Sequence, residues 1–250
     1  MTRDNKYWMI VVFVIIPFLF TAQSKKSPQL IIQLSHLIND EVLVLDDSVY
    51  INALNQDFTI SKFNYYIGKI KLIKSNGEST LIPGYHFISE EKKTTKTIGL
   101  NKIAGGSYNE LEFIIGVDSI DNCSGAQSGD LDPINGMFWT WNTGYIFLKL
   151  EGNSESSSAV GNTLEYHIGG YKQPNNSIRS IHLKFEKPLV IEKKTTQKIE
   201  LNVIIDQLLS HPEAIDFSKN PVLNTPTQAK PIAGNYQYLF ELNKRQEDVK

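Results

Sequence analysis

Short segments in which apolar and polar residues alternate, each closed by a turn signal, recur along most of this chain. Strict alternation places every second side chain on one face of an extended strand, so such a segment buries one face and wets the other. In the stretch 30–36, Leu30, Ile32, Leu34 and His36 share a face, opposite Gln33 and Ser35. Ile70 alternates with Lys71, and Asn76-Gly77 supplies a hairpin turn. Leu111, Phe113, Ile115 and Val117 alternate with Glu110 and Glu112. Residues 145–150 are apolar enough for a central strand. Leu164, Tyr166 and Ile168 oppose Thr163, Glu165 and His167, and Gly169-Gly170 breaks that strand. Ile181, Leu183 and Phe185 alternate with His182 and Lys184, and Ile199, Leu201 and Val203 complete the set. The pattern predicts an all-β protein, an antiparallel β-sandwich with long functional loops. One or two short helices are expected, over 203–209 and around Ala233, Tyr236, Leu239 and Phe240. The serine-rich stretch 152–161 reads as a mobile loop.

The N-terminus constrains the compartment. Arg3 and Lys6 precede an uncharged apolar run from Trp8 to Phe20, followed by Thr21, Ala22, Gln23 and Ser24. This is the layout of a secretory signal peptide over residues 1–22, with a run too short to span a bilayer comfortably. The expected protein is periplasmic or secreted, with no transmembrane segment in the mature chain. A single domain is expected over 27–243 and a charged tail over 244–250. Removal of Arg3, Asp4 and Lys6 with the leader reduces 25 basic and 27 acidic residues to 23 and 26. So mild an acidic balance excludes a nucleic-acid surface. Cys123 is the single cysteine, so no intrachain disulfide forms and stability rests on the core.

Candidate chemistry concentrates between the strands ending near Gly116 and beginning near Tyr145. Asp118, Asp121, Asp130 and Asp132 offer hard oxygen donors of the kind calcium takes, although no glutamate closes an EF-hand loop. The same residues are ordinary turn and cap formers. The loop also carries Met137, Phe138, Trp139 and Trp141, which should fold back and bury their rings over one end of the sandwich. Alternation puts Trp139 and Trp141 on a shared face. Among the histidines, His36 lies on an apolar face, His167 at a strand end and His86 among apolar neighbours. Convergence of two or three of them would suit copper or zinc. Cys123 has no activating base beside it, and neither a nucleophile elbow nor a phosphate-binding glycine loop is present. The chain therefore reads as a binding protein and not an enzyme.

Several strings occur together: 116–119 (Gly-Val-Asp-Ser), 124–133 (Ser-Gly-Ala-Gln-Ser-Gly-Asp-Leu-Asp-Pro), 137–145 (Met-Phe-Trp-Thr-Trp-Asn-Thr-Gly-Tyr) and 166–170 (Tyr-His-Ile-Gly-Gly). With 58–67 and 85–88, they resemble the MbnP family, methanobactin-associated periplasmic proteins related to copper proteins of methane-oxidising bacteria. The likeness is nearest to the branch found in Bacteroidota-type bacteria. It implies a β-sandwich outside the cytoplasm that binds copper for capture, storage or delivery. In some members the ligands are histidines together with kynurenine, an oxidised tryptophan, and a partner resembling a di-haem cytochrome c peroxidase is associated with that oxidation. Carried onto this chain, the resemblance points to His36, His167 and His86 as ligands and to Trp139 and Trp141 as the oxidisable pair. No histidine adjoins that pair in the sequence. Copper(I) would also accept Met137 or Cys123. The alternative expectation is a calcium-stabilised sandwich that recognises a protein or glycan through the acidic, aromatic loop.

Overall fold

The computed structural model of the protein describes residues 29–141, 144–192 and 195–243. The expected leader and charged tail lie outside the described residues. Seven strands precede the long connection: β1 (Leu30–Ile38), β2 (Glu41–Val42), β3 (Tyr50–Ile51), β4 (Asp57–Ile73), β5 (Ser79–Ser89), β6 (Thr97–Leu100) and β7 (Gly106–Ile115). Seven more follow it: β8 (Phe138–Trp139), β9 (Gly144–Asn153), β10 (Thr163–Gly169), β11 (Arg179–Ile191), β12 (Gln197–Ile204), β13 (Val222–Leu223) and β14 (Phe240–Leu242). Three short α-helices are α1 (Ser119–Cys123), α2 (Ile205–Ser210) and α3 (Lys230–Asn235).

The strands form two sheets. The smaller runs β14-β12-β1-β2, with β6 also on β1. The larger runs β11-β7-β4-β9-β10-β13, with β3 and β5 also on β4 and β8 on β9. Most pairs are antiparallel, as alternation with hairpin turns predicts. Two are not: β1 pairs in parallel with β12, and β10 with β13. A parallel pair needs a long crossover, and most of the domain supplies it between β1 and β12. The match is one of apolar faces, with Leu34 opposite Leu201 and His36 opposite Val203.

One face of each sheet packs against the other around a continuous core. Leu30, Ile32 and Leu34 from β1 meet Phe63, Tyr65 and Ile67 from β4, together with Leu164, Tyr166 and Ile168 from β10. Strand β4 is buried on both faces through residues 63–68. Its other face carries Tyr66 into a second apolar cluster with Tyr85, Phe87, Val117, Leu131, Met137, Trp139, Tyr145 and Phe147. The connection after β7 therefore covers the outer face of the larger sheet, so the expected burial of its aromatics is met for Trp139 but not for the exposed Trp141. Pro188, which cannot donate to a ladder, falls in the irregular stretch of β11, a strand at the sheet edge.

Both expected helices form in part. Strand β12 persists to Ile204 before α2 starts, and α3 gives way to a 3-10 turn over Tyr236–Tyr238 before Phe240 enters β14. The serine-rich stretch is not a loose loop. Strand β9 extends to Asn153, Ser154 N donates to Asn162 O at 2.9 Å, and Ser157 Oγ donates to Thr163 O at 2.7 Å. Both serines are buried, so their polar groups need these partners.

Close strand approach yields a stability test. A Cβ on Gly152 would lie 1.9 Å from the Thr59 carbonyl oxygen of the neighbouring strand, whereas one on Gly234 in α3 meets nothing within 4 Å. Gly152→Ala is expected to cost about 3 kcal/mol in urea unfolding. Gly234→Ala should be neutral or stabilising by about 0.5 kcal/mol.

Candidate functional site at the tryptophan rim

The connection after β7 is built from caps and hydrogen bonds that consume most of its polar groups. Asp118 caps α1, its Oδ1 accepting from Asp121 N at 3.0 Å. Lys69 of β4 reaches both carboxylates, at 3.0 Å from Asp118 and 3.2 Å from Asp121. The Tyr85 phenol donates to Asp121 Oδ2 at 2.8 Å. Asp132 accepts from Ile134 N at 2.9 Å, and Asp130 stands 3.8 Å from His86 Nδ1. Buried Asn122 donates to the Val117 and Asp118 carbonyls and accepts from Tyr145 N, pinning α1 to the start of β9. The four aspartates thus act as caps and as partners of cations. They do not enclose a common point.

The three candidate imidazoles are dispersed. His36 is fully buried between the sheets. Its Nδ1 lies 2.6 Å from Glu90 Oε2, and its Nε2 lies 2.9 Å from the Tyr65 hydroxyl. Glu90 also accepts from Lys96 Nζ at 2.7 Å. An ionised carboxylate only accepts, so Nδ1 carries the proton, and in a neutral ring Nε2 accepts from Tyr65 O–H. Burial holds the His36 pKa below its ordinary value, against the opposing pull of Glu90. Both ring nitrogens are committed.

His167 alternates with the inward Tyr166 and Ile168 and so occupies the opposite, outer face of the larger sheet. Its Nε2 is 2.7 Å from Glu151, and its Nδ1 is 3.4 Å from Glu165. That hydrogen bond, joined by Lys62 at 3.0 Å, holds the Glu151 carboxyl down at about 2. His86, on β5, has only the distant Asp130, and its Nε2 makes no hydrogen bond to a described residue. Burial lowers its pKa as well. Among the described residues, no three His, Cys, Asp or Glu side chains are grouped as a metal centre requires. The copper implied by the resemblance therefore does not fit a His36–His167–His86 centre.

The tryptophans do come together. Strand β8 pairs Phe138 with Tyr145 and Trp139 with Gly144. Trp139 is 5% exposed and its ring lies against Gly169, where an added Cβ would sit 2.8 Å from the indole and 2.5 Å from the Tyr145 carbonyl oxygen. Only glycine lets the indole lie so close to the β10 backbone. Trp141 is 64% exposed, with its ring centroid 5.5 Å from that of Trp139 and the planes tilted by 45°. Strand β8 ends at Trp139, so alternation does not extend to Trp141, yet the two rings stay in contact. The pair opens onto a cavity of about 560 Å³ lined also by Tyr171, Gln173, Asn175 and Pro226. Exposed Cys123 lies at its margin, donating from Sγ to the Tyr171 hydroxyl at 3.5 Å, while Met137 is buried in the second cluster.

Sequence patterning singled out His36 but not Glu90, Lys96 or Tyr65, which complete its surroundings. It also missed the 171–175 and 225–227 segments that wall the cavity. Polar residues in turns carry no periodic signal, and only the fold brings them to the tryptophans.

The His36 network generates a pH dependence. An imidazole whose pKa is depressed in the folded state is protonated more readily in the unfolded chain, so stability is full above the ordinary value near 6.5 and falls as pH drops below it. Urea unfolding should therefore show declining stability from neutral pH toward pH 5, with a contribution of the same sign from His86. His36→Leu should flatten that slope and destabilise the protein by about 3 kcal/mol at neutral pH, because it strands buried Glu90 and Tyr65.

A family model described as MbnP matches residues 27–227. No curated protein matches the chain. Among solved structures, MbnP from Methylosinus trichosporium aligns with a TM-score of 0.48 at 11% identity, covering 78% of this chain and 82% of that chain. With the family match extending over most of its length, this two-sheet protein belongs to the MbnP family.

Proposed function

We propose that the protein is a non-catalytic accessory protein that handles copper outside the cytoplasm, with the Trp139–Trp141 rim as its working surface. Family membership supports the copper assignment, and the apolar N-terminal run supports export. Among the described residues, no helix is long and apolar enough to cross a membrane. The observation that carries the choice of surface is the tryptophan pair itself. A long connection, tied down by caps and hydrogen bonds, holds one indole in the second core and presents the other to solvent beside a cavity. An exposed indole in contact with a buried one is suited to docking a partner and to oxidative modification, such as that associated with a di-haem cytochrome c peroxidase-like protein.

Copper itself is assigned to an open, low-coordination position at His86. Its Nε2 is the uncommitted donor of the three imidazoles, and the Asp130 carboxylate stands nearby. Neutral imidazole with carboxylate is a donor set that copper(II) accepts. His36 and His167 serve the structure, through hydrogen bonds that a metal would have to break.

Protein lacking residues 1–22 should be loaded with copper(II), desalted and assayed for bound metal, in parallel with calcium. Retained copper that is lost in His86→Ala but kept in His167→Ala is the expected result. A wild-type protein that retains no copper overturns the copper assignment, and retention of calcium instead restores the calcium-stabilised alternative. Intact-mass measurement on protein from its native host then reports whether an indole has been opened to kynurenine.

A further inference from the structure

We infer that the cavity beside the tryptophan rim is a carbohydrate site that takes a mono- or disaccharide. Its volume of about 560 Å³ lies within the range of small-ligand pockets. Its walls combine two kinds of surface. Trp141, Tyr171 and Pro226 supply apolar area, with Trp139 behind them. Gln173 and Asn175 supply primary amides whose side chains make no hydrogen bond to a described residue. Asn122 also lines the cavity, but its amide is spent on Val117, Asp118 and Tyr145.

The ligand class follows from these two surfaces together. A purely apolar ligand would cover the two amides without pairing them, and leaving desolvated donors and acceptors unmade is costly. A pyranose presents an apolar C–H face to an indole and a rim of hydroxyls, each able to donate and accept. An amide likewise offers donors and an acceptor in one plane, matching two neighbouring hydroxyls. Among the described residues, no carboxylate lines the cavity, which disfavours a cationic ligand. The one cation among its described lining residues, Lys172, is stationed over the Tyr171 ring with Nζ 5.2 Å from the centroid. A single lysine engaged with a ring does not make a phosphate cradle. The site shares the tryptophan rim with the proposed function but stands apart from the copper position, because neither His86 nor Asp130 lines it.

Fluorescence reads the site directly. The chain has three tryptophans, and Trp8 falls within the expected leader, so the tryptophan emission of protein lacking residues 1–22 comes only from Trp139 and Trp141. Cellobiose, maltose and N,N′-diacetylchitobiose should be titrated while emission is followed, with saturation-transfer NMR on the sugar as a second readout. At least one disaccharide is expected to shift the emission and give saturation transfer. Trp141→Ala should weaken that binding at least about tenfold, the scale of one lost aromatic contact. Because Trp141 stands outside both cores, its removal should leave the melting temperature unchanged. The double variant Gln173→Ala, Asn175→Ala, which leaves both indoles in place, should weaken binding to a similar degree. Absence of saturation transfer from all three sugars overturns the inference. So does binding that is undiminished in both variants.

Discussion

A sheet buried on both faces needs two covers, and that requirement organises this molecule. Residues 63–68 of β4 have no exposed member, so Phe63 and Tyr65 must meet one apolar layer while Tyr66 meets another. The smaller sheet supplies the first layer. The second cannot be another sheet, because no further set of alternating segments is available, and the connection after β7 takes its place. Its turn-rich composition looks unsuited to a core. Leu131, Met137 and Trp139 nevertheless reach inward from it, while Lys69 and Tyr85 meet its acidic groups and its own buried Asn122 meets its backbone. The surface that displays Trp141 is thus a by-product of closing a hydrophobic layer.

This arrangement separates stability from recognition among the candidate residues. His36 stands on β1 of the smaller sheet and His167 on the outer face of the larger one, and both are already partnered by carboxylates. Carboxylate–imidazole pairs with lysine close by are satisfied polar networks, costly to disrupt and well suited to fixing strands in place. The rim has the opposite character: exposed rings and unused amides, gathered by turns and borne on rigid strands. Function is carried by loops on a scaffold in many folds.

How far the sequence could be read depended on the range of the interaction. Alternation located β1, β7, β10, β11 and β12, and an apolar run located β9, because both patterns are local properties. The parallel pairing of β1 with β12 had no local signal, since nothing between Ile38 and Gln197 marks it. His36 could be placed on a buried face from its neighbours, yet its partner Glu90 is 54 residues away and sits beside Glu91, an ordinary polar dipeptide in appearance. The face shared by Trp139 and Trp141 was inferred from alternation, whereas β8 itself stops at Trp139 and it is ring contact that keeps the pair together. The serines of 152–161 suggested flexibility by composition, whereas Ser154 and Ser157 fold inward and tie the turn to its own backbone.

The buried imidazole has a further bearing on assembly of the sheet. Parallel strands lacking a connecting turn have nothing local to set their alignment, and a slip by one residue exchanges the two faces of a strand. If β1 moved one position along β12, His36 would emerge into solvent, Ser35 or Leu37 would enter in its place, and the charges of Glu90 and Lys96 would face each other without the ring that mediates between Glu90 and Tyr65. Hydrophobic matching alone tolerates many alignments of Leu, Ile and Val. A lone polar ring that is content in one place only acts as a proofreader for the strand order of the whole sandwich.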